Sequence, residues 1–411
     1  PALENSQQFE NWLKNKIAKP KLKQQSTQRT QSATYTIPVV VHIIHNGEAI
    51  GTGANLSDAQ ILSQINVMNK DFARLNLDAV NTPSEFLPVA GNLDIEFVLA
   101  KQDPFGAATT GITRTKGTQS SWKISDNATF KGLSYWPAEN YFNIWVLNFP
   151  DYLGYAQLPV STLDGLENSP DDRLTDGIII HYKAFGSNFE GLGTFNLETK
   201  YNRGRTATHE TGHFLGLRHI WGDSNCGTDY VADTPTQQSK TSTCPAHPQT
   251  TNCGGAIVKM FQNYMDYTDD ACMNLFTQGQ NGRMIVVLEN SPRRVSLLNS
   301  LGATAPPPLA LDIALRKINS PGTTSCGGLI TPTLEIQNLG TTAATSARIQ
   351  LKTNGAITET KDFVMNLPFE EITNVSFQSV VQPAGTTLYE FEVLLVNAGA
   401  DQRASNNKLA V

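Results

Sequence analysis

The stretch ATHETGHFLGLRHIWGD, residues 207–223, contains three of the seven histidines of the chain. His209 and His213 are four positions apart, so a helix would present both imidazoles on one face, about one turn apart. Gly216 would let the chain leave that helix through a left-handed turn, and His219 could then approach from another direction. Three neutral imidazoles that leave one coordination position open form the ligand set of a catalytic zinc ion.

Glu210 directly follows the first of these histidines. A carboxylate there can lie beside a metal-bound water, accept its proton during attack and pass that proton to a leaving amine. The alternative is that these are ordinary histidines of a helix surface or a core. The pattern H-E-x-x-H-x-x-G-x-x-H would occur by chance in roughly one chain in a thousand or fewer at average residue usage. The pattern therefore predicts a zinc-dependent hydrolase.

Composition limits the other classes of function. The chain has 411 residues, of which 39% are hydrophobic and 17% charged, as expected for a globular protein of two domains. Its net charge of -6 is spread without a basic stripe, which argues against nucleic acid as a partner. It contains no apolar run of about 18 residues, so we expect no membrane-spanning helix.

Four of the five cysteines lie within 47 residues: Cys226, Cys244, Cys253 and Cys272. They contain no C-x2-C pair, which a zinc ribbon would use. We expect two disulfides rather than free buried thiols, with three pairings open, and hence an oxidising, extracytoplasmic location. Cys326 is left without an assigned partner.

Residues 1–33 are rich in Lys, Gln, Ser and Thr and are interpreted as an extended arm or the remnant of a pro-segment, with a short helix around Phe9 and Trp12. This segment contains no cysteine that could block a zinc ion. Inhibition by it would need steric occlusion or a carboxylate such as Glu4 or Glu10, and its removal would then raise activity.

Residues 34–300 alternate strand and helix patterns, which predicts an α/β (α+β) layer domain. Ser57 is a candidate cap for a helix whose apolar face contains Ile61, Ile65, Met68 and Phe72. The predicted strands cover residues 35–45, 93–100, 141–149 and 177–183.

The composition of the chain changes at LGATAPPPLA, where a proline-rich linker is expected over residues 301–308. Short alternating runs separated by Gly, Pro, Asn and Thr fill residues 309–411 and predict an all-β sandwich. This domain contains no catalytic constellation.

The extended zinc motif resembles that of the metzincin metallopeptidases, whose second mark is a methionine turn. GRTATHETGHFLGLRH, DYVADTP, NYMDYTDDACM and the four cysteines together resemble the pappalysin family, and its ulilysin-like bacterial members, over roughly residues 35–300. The resemblance implies zinc on the three histidines and Glu210 as general base and acid. It also implies Met265 as a hydrophobic floor and Tyr267 as support for the oxyanion.

The same resemblance favours pairing Cys226 with Cys253 and Cys244 with Cys272. It further implies a calcium ion in CGTDYVADTP, although a solvated acidic loop is the alternative reading of that stretch. The implied calcium ligands offer hard oxygen atoms of the kind that calcium prefers, and they belong to Thr228, Asp229, Val231, Asp233 and Thr234.

We therefore expect a secreted, bacterial-type zinc endopeptidase that acts on proteins or peptides as a monomer. The alternative is a catalytically silent adhesin, in which the β-sandwich, similar to CARDB-type domains, binds a surface or another protein. Substrate is expected along an edge strand around residues 191–196. Ulilysin-like enzymes that cleave before Arg or Lys are expected to have an acidic residue where this chain has Ala271, so a weaker basic preference is predicted.

Overall fold

The structure is a computed structural model that describes residues 3–17, 35–160, 170–322, 328–382 and 385–411. The chain divides into two compact units. The first comprises Pro1–Ala100 and Thr110–Thr304, and the second comprises Lys101–Thr109 and Ala305–Val411. Residues 1–2 and 18–33 of the predicted arm, and Cys326, lie outside the described residues.

The helices of the first unit are α1 (Leu3–Ile17), α2 (Asp58–Phe72), α3 (Asn127–Gly132), α4 (Arg205–Phe214) and α5 (Gln278–Asn290). Its strands are β1 (Tyr35–His45), β2 (Ala90–Gly91), β3 (Ile95–Leu99), β4 (Ile112–Lys116), β5 (Phe142–Leu147), β6 (Gly154–Ala156), β7 (Ile178–His181), β8 (Ser242–Thr243), β9 (Thr250–Asn252), β10 (Ala256–Val258), β11 (Tyr267–Thr268) and β12 (Phe276–Thr277). The four strands predicted from the sequence are confirmed as β1, β3, β5 and β7.

The main sheet is ordered β3-β1-β5-β7-β6, with β4 also paired to β1. Strands β3, β4 and β5 run parallel to β1, and β7 runs parallel to β5. Residues 37–44 of β1 are all buried, as expected for a parallel strand covered on both faces. Only β6 is antiparallel, and it forms one edge of the sheet.

Helix α2 covers one face of this sheet and supports α4. The Ser57 hydroxyl accepts the backbone N–H of Gln60, which confirms the predicted cap. All four apolar residues predicted on its inner face are buried, and they share one core cluster with Phe214 at the end of α4. Helix α4, which contains the predicted zinc motif, is thereby packed against the sheet.

The second unit is the predicted all-β sandwich. Its strands are β13 (Ile313–Ser320), β14 (Gly328–Ile330), β15 (Thr333–Asn338), β16 (Ala344–Thr353), β17 (Ala356–Leu367), β18 (Ile372–Ser376), β19 (Val380–Gln382), β20 (Tyr389–Val396) and β21 (Lys408–Ala410). One sheet is ordered β13-β15-β18 and another β17-β16-β20-β21. Buried side chains of both sheets form a single apolar cluster.

The edge strand expected at residues 191–196 is absent from the structure, which has an irregular loop there. Gly191 and Gly193 have φ angles of +73° and +143°, which are incompatible with a regular strand. The antiparallel edge strand of the sheet is β6 instead. Among the described residues, no helix is both long and apolar enough to cross a membrane.

Candidate metal centre and active site

The start of helix α4 is capped by a carboxylate from a distant part of the chain. Gly204 precedes the helix with a φ of +77° and has no side chain that could cap it. Asp270 serves instead, because its Oδ2 accepts the backbone N–H groups of Arg203 at 2.8 Å and of Arg205 at 3.2 Å. A buried negative charge at this end also interacts favourably with the helix dipole. The cap comes from 65 positions further along the chain, so no local sequence pattern indicates it.

The three predicted histidines come together. Each histidine offers one ring nitrogen as a ligand atom, and these three nitrogens all lie within 4.8 Å of one another. The Nε2 atoms of His213 and His219 are 3.1 Å apart. Each Nδ1 atom has its own partner behind the ring. The partners are the carbonyl oxygens of Tyr264 for His209 (2.7 Å) and Leu217 for His213 (2.8 Å), and the Asp223 carboxylate for His219 (2.5 Å).

These contacts determine which nitrogen atoms are free to bind a cation. A carbonyl oxygen can only accept, so Nδ1 of His209 and of His213 must bear the proton, and Nε2 of a neutral ring then presents a lone pair. Burial lowers the pKa of His213 to about 3 and that of His209 well below its usual value, so both rings are neutral. Converging lone pairs repel one another unless a cation lies between them. The donor set therefore fits zinc.

Glu210 lies beside this centre in a buried position, and burial raises the pKa of its carboxyl to about 8. Its side chain contacts the edge strand β6. A Cβ atom added to Gly154 would lie 2.6 Å from Cγ of Glu210 and 2.7 Å from its Oε1. A side chain at this position of β6 would therefore displace the Glu210 carboxylate, a contact that the sequence alone did not indicate.

The methionine turn lies beneath the zinc helix. Met265 is fully buried, and a Cβ atom on Gly212 would be 2.6 Å from its sulfur, so the absence of a side chain at Gly212 of α4 allows this close approach. The Tyr267 ring faces the histidines, with its centroid 4.8 Å from that of His219 and 5.6 Å from that of His209. Burial and the Glu210 charge raise the pKa of Tyr267 to about 12, so its hydroxyl remains a donor at neutral pH.

Two further residues orient His219, and the sequence analysis did not single them out. Trp221 stacks on the imidazole, with ring centroids 4.4 Å apart and an interplanar angle of 6°. Asp223 binds Nδ1 from behind, an arrangement that fixes the orientation of a metal-binding histidine. The available signal was the tripeptide WGD, which begins two positions after the third histidine.

The residues predicted to bind calcium separate into two groups. The Asp229 carboxylate accepts the Thr234 hydroxyl at 2.8 Å and the Val231 N–H at 3.1 Å. Asp233 points instead to the start of α5, where its two oxygens accept the Thr277 hydroxyl and the Gly279 N–H. Thr228 accepts the backbone N–H of residue 230.

The two acidic residues next to the methionine turn already have partners within the protein. Asp270 caps α4, and Asp269 lies 3.6 Å from Lys200. Ala271 is exposed between Asp270 and the disulfide-bonded Cys272. The disulfides are Cys226–Cys253 and Cys244–Cys272, the pairing that the resemblance implied.

Comparisons with known proteins find metallopeptidases that are similar to this chain. The Peptidase_M43 family model, described as pregnancy-associated plasma protein-A, matches residues 127–289. An extracellular metalloprotease of Arthroderma benhamiae is 32% identical over 256 residues, which cover 62% of this chain and 77% of the relative. Mature mirolysin of Tannerella forsythia, solved with a cleaved peptide, is 45% identical with a TM-score of 0.59, covering 68% of this chain and all of mirolysin. A promirolysin mutant is 42% identical with a TM-score of 0.61, covering 74% of this chain and 94% of promirolysin.

The contact between β6 and Glu210 can be tested with Gly154→Ala. The added methyl group should displace the carboxylate and lower kcat by about 10- to 100-fold, as small misplacements of catalytic groups do. Zinc content, measured by atomic absorption, should stay at the wild-type level because the histidines are untouched. Gly282→Ala on α5 is the control, since nothing lies within 4 Å of its added Cβ. A wild-type kcat for Gly154→Ala would show that Glu210 tolerates the methyl group.

Proposed function

Because the chain belongs to the pappalysin family of metzincin metallopeptidases, we propose that its three clustered histidines hold the catalytic zinc ion. The protein is a zinc endopeptidase. The observation that supports the ligand assignment most directly is the convergence of His209, His213 and His219, with two Nδ1 protons fixed by backbone carbonyls.

We assign the proton transfers of peptide hydrolysis to Glu210. When bound, zinc acts as a Lewis acid that polarises the scissile carbonyl and acidifies water. A zinc ion held beside Glu210 would favour the ionised form of its carboxyl, which burial alone disfavours. The Glu210 carboxylate accepts the proton of the attacking water and then donates it to the leaving amine. The Tyr267 hydroxyl donates a hydrogen bond to the carbonyl oxygen of the substrate as negative charge develops on it.

We infer that the substrate lies extended along β6. This strand is the antiparallel edge of the sheet, and Gly154 places it in contact with Glu210. An edge strand binds an extended peptide through main-chain hydrogen bonds, which accept many sequences. Side-chain selectivity then depends on the residues beside the methionine turn, where Ala271 offers no carboxylate to a basic side chain.

A structural calcium ion is proposed at residues 228–234. Asp229 is buried, and that burial raises the pKa of its carboxyl to about 6, so a cation there would compensate a desolvated charge. Thr234 and the carbonyl oxygens of the loop would complete an oxygen-only ligand set. Asp233 would then join the site to the first turn of α5.

Secretion fits the disulfides and the extracellular relatives. For the second unit we propose binding to a surface or another protein, and for the whole chain a monomer.

The adhesin alternative for the whole chain is disfavoured, because Glu210, Tyr267 and the complete histidine set are all present. Cleavage of a denatured protein, abolished by a zinc chelator, separates the two functions.

For the proton shuttle, Glu210→Ala should keep the fold and the zinc content but abolish cleavage of a denatured protein. Tyr267→Phe should lose less activity, about 10²-fold in kcat, the size of effect reported for removal of one oxyanion donor. Retained turnover in Glu210→Ala would contradict its role, and an unchanged kcat in Tyr267→Phe would contradict the oxyanion assignment.

For specificity, a peptide library cleaved by the enzyme and read by mass spectrometry should show cleavage before apolar and small residues as well as before Arg and Lys. Ala271→Asp should shift cleavage toward Arg and Lys, because it adds the missing carboxylate. Ala271→Asn is the matched control without the charge. Near-exclusive cleavage before Arg and Lys by the wild type would contradict the proposal.

For calcium, millimolar Ca²⁺ added to chelator-treated, zinc-reloaded enzyme should raise Tm, since a ligand at 100 times its Kd stabilises the folded state by about 2.7 kcal/mol. Asp229→Ala should lose this calcium-dependent shift. Scanning calorimetry measures both. Equal Tm values with and without calcium in the wild type would exclude the site.

A further inference from the structure

We propose that helix α1 positions the third zinc ligand through Glu10, which makes Glu10 a positioning residue of the enzyme. This inference rests on the proposed role of His219 as a ligand. From the sequence, Glu10 is a candidate only as a carboxylate that could block the zinc. In the structure both of its oxygens are bound to arginine side chains elsewhere.

Glu10 lies in a buried cluster with Arg283 of α5 and Arg218, called here the Glu10 cluster. The Arg283 guanidinium donates to both Glu10 oxygens, at 2.6 and 2.7 Å. Arg218 donates its Nε–H to the same carboxylate at 2.7 Å. The side chains of Glu10 and Arg283 are each only 3% exposed, so solvent cannot replace either partner.

The cluster is directly connected to the turn that presents His219. The Nε–H of Arg283 donates to the carbonyl oxygen of Gly216 at 2.7 Å. The next carbonyl, that of Leu217, accepts Nδ1–H of His213. Arg218, which follows, binds Glu10 and immediately precedes His219. Three consecutive residues of the turn are thus each held by a different partner.

Apolar contacts keep α1 in place. Trp12 and Leu13 are buried against Val287 of α5. Nearer the start of α1, the Tyr230 hydroxyl donates a hydrogen bond to Oε1 of Gln7 at 3.1 Å. The helix therefore packs along α5 and reaches the loop that follows the zinc ligands.

Removal of the Glu10 charge would leave two guanidinium groups facing each other, one of them buried. Arg283 would then have to move toward solvent, and the Gly216 carbonyl would lose its donor. Because the turn ends at His219, the third imidazole should become less well oriented, and the zinc ion should dissociate faster.

The test measures zinc release and kinetics on the full chain. Zinc-loaded wild type, Glu10→Gln, Lys14→Gln and Asp312→Asn are mixed with excess EDTA, and the fraction of zinc retained is followed over time well below Tm. Lys14→Gln removes an exposed charge from the same helix. Asp312→Asn breaks a buried pair with Arg403 in the second unit and so controls for lost stability alone.

We expect Glu10→Gln to release zinc about tenfold faster and to lose kcat with little change in KM, at the lower end of what outer-shell substitutions cost. Both controls should release zinc like the wild type. A lower Tm for Glu10→Gln with unchanged zinc release would overturn the inference, because α1 would then be merely structural. Higher activity in Glu10→Gln would overturn it too, since α1 would be inhibitory.

Arg218 gives a second variant in case Glu10→Gln does not fold, because its side chain is partly exposed at 21%. Arg218→Gln should release zinc faster than the wild type, and Arg218→Lys should restore slow release by keeping the charge. Equal release rates for wild type and Arg218→Gln would refute the inference. His219→Ala separates the two proposals. If this variant keeps zinc and activity, the ligand assignment fails. If His219→Ala loses zinc but Arg218→Gln releases zinc as slowly as the wild type, only the role of the Glu10 cluster is refuted.

Discussion

Three imidazoles facing one another are the constraint on which the rest of this structure depends. The lone pairs that His209 and His213 direct toward this centre do not attract one another, so contacts from the surrounding protein must hold the rings in place. It does so from behind, with acceptors from three different segments. These are the methionine turn at Tyr264, the glycine turn at Leu217 and the loop at Asp223. The site is organised by its surroundings, as metal centres generally are.

Buried charges supply part of that organisation. Arg205, the first residue of the zinc helix, lies 3.0 Å from Asp71 of α2, and the same carboxylate oxygen accepts the Thr208 hydroxyl at 2.8 Å. Asp270 binds the start of the helix from another direction. Such pairs add little net stability over a well-packed apolar contact, but breaking one leaves an uncompensated buried charge. We interpret them as fixing the rotation of α4, and therefore the direction in which its histidines point.

The sequence predicted those parts of the molecule whose cause is local. The Ser57 cap, the apolar face of α2 and the buried run of β1 each depend on residues within a few positions of one another. The zinc motif is local too. Contacts between distant segments could not be read in this way: Glu10 and Arg283 are 273 positions apart, and nothing near either residue indicates its partner. The edge strand predicted at residues 191–196 was wrong for a local reason. The sequence shows the glycines at 191 and 193, but it does not show that both have positive φ angles.

The chain between α4 and α5 shows how an active site can be both rigid and variable. Its strands are only two or three residues long, so a regular sheet cannot fix it. Two interleaved disulfides, spanning 27 and 28 positions, restrict the unfolded chain instead, by about 3 to 4 kcal/mol each in the chain-entropy description. Ala271 lies immediately before one of these cysteines. Because the disulfide anchors the backbone here, the side chain at position 271 can be replaced without moving the three histidines.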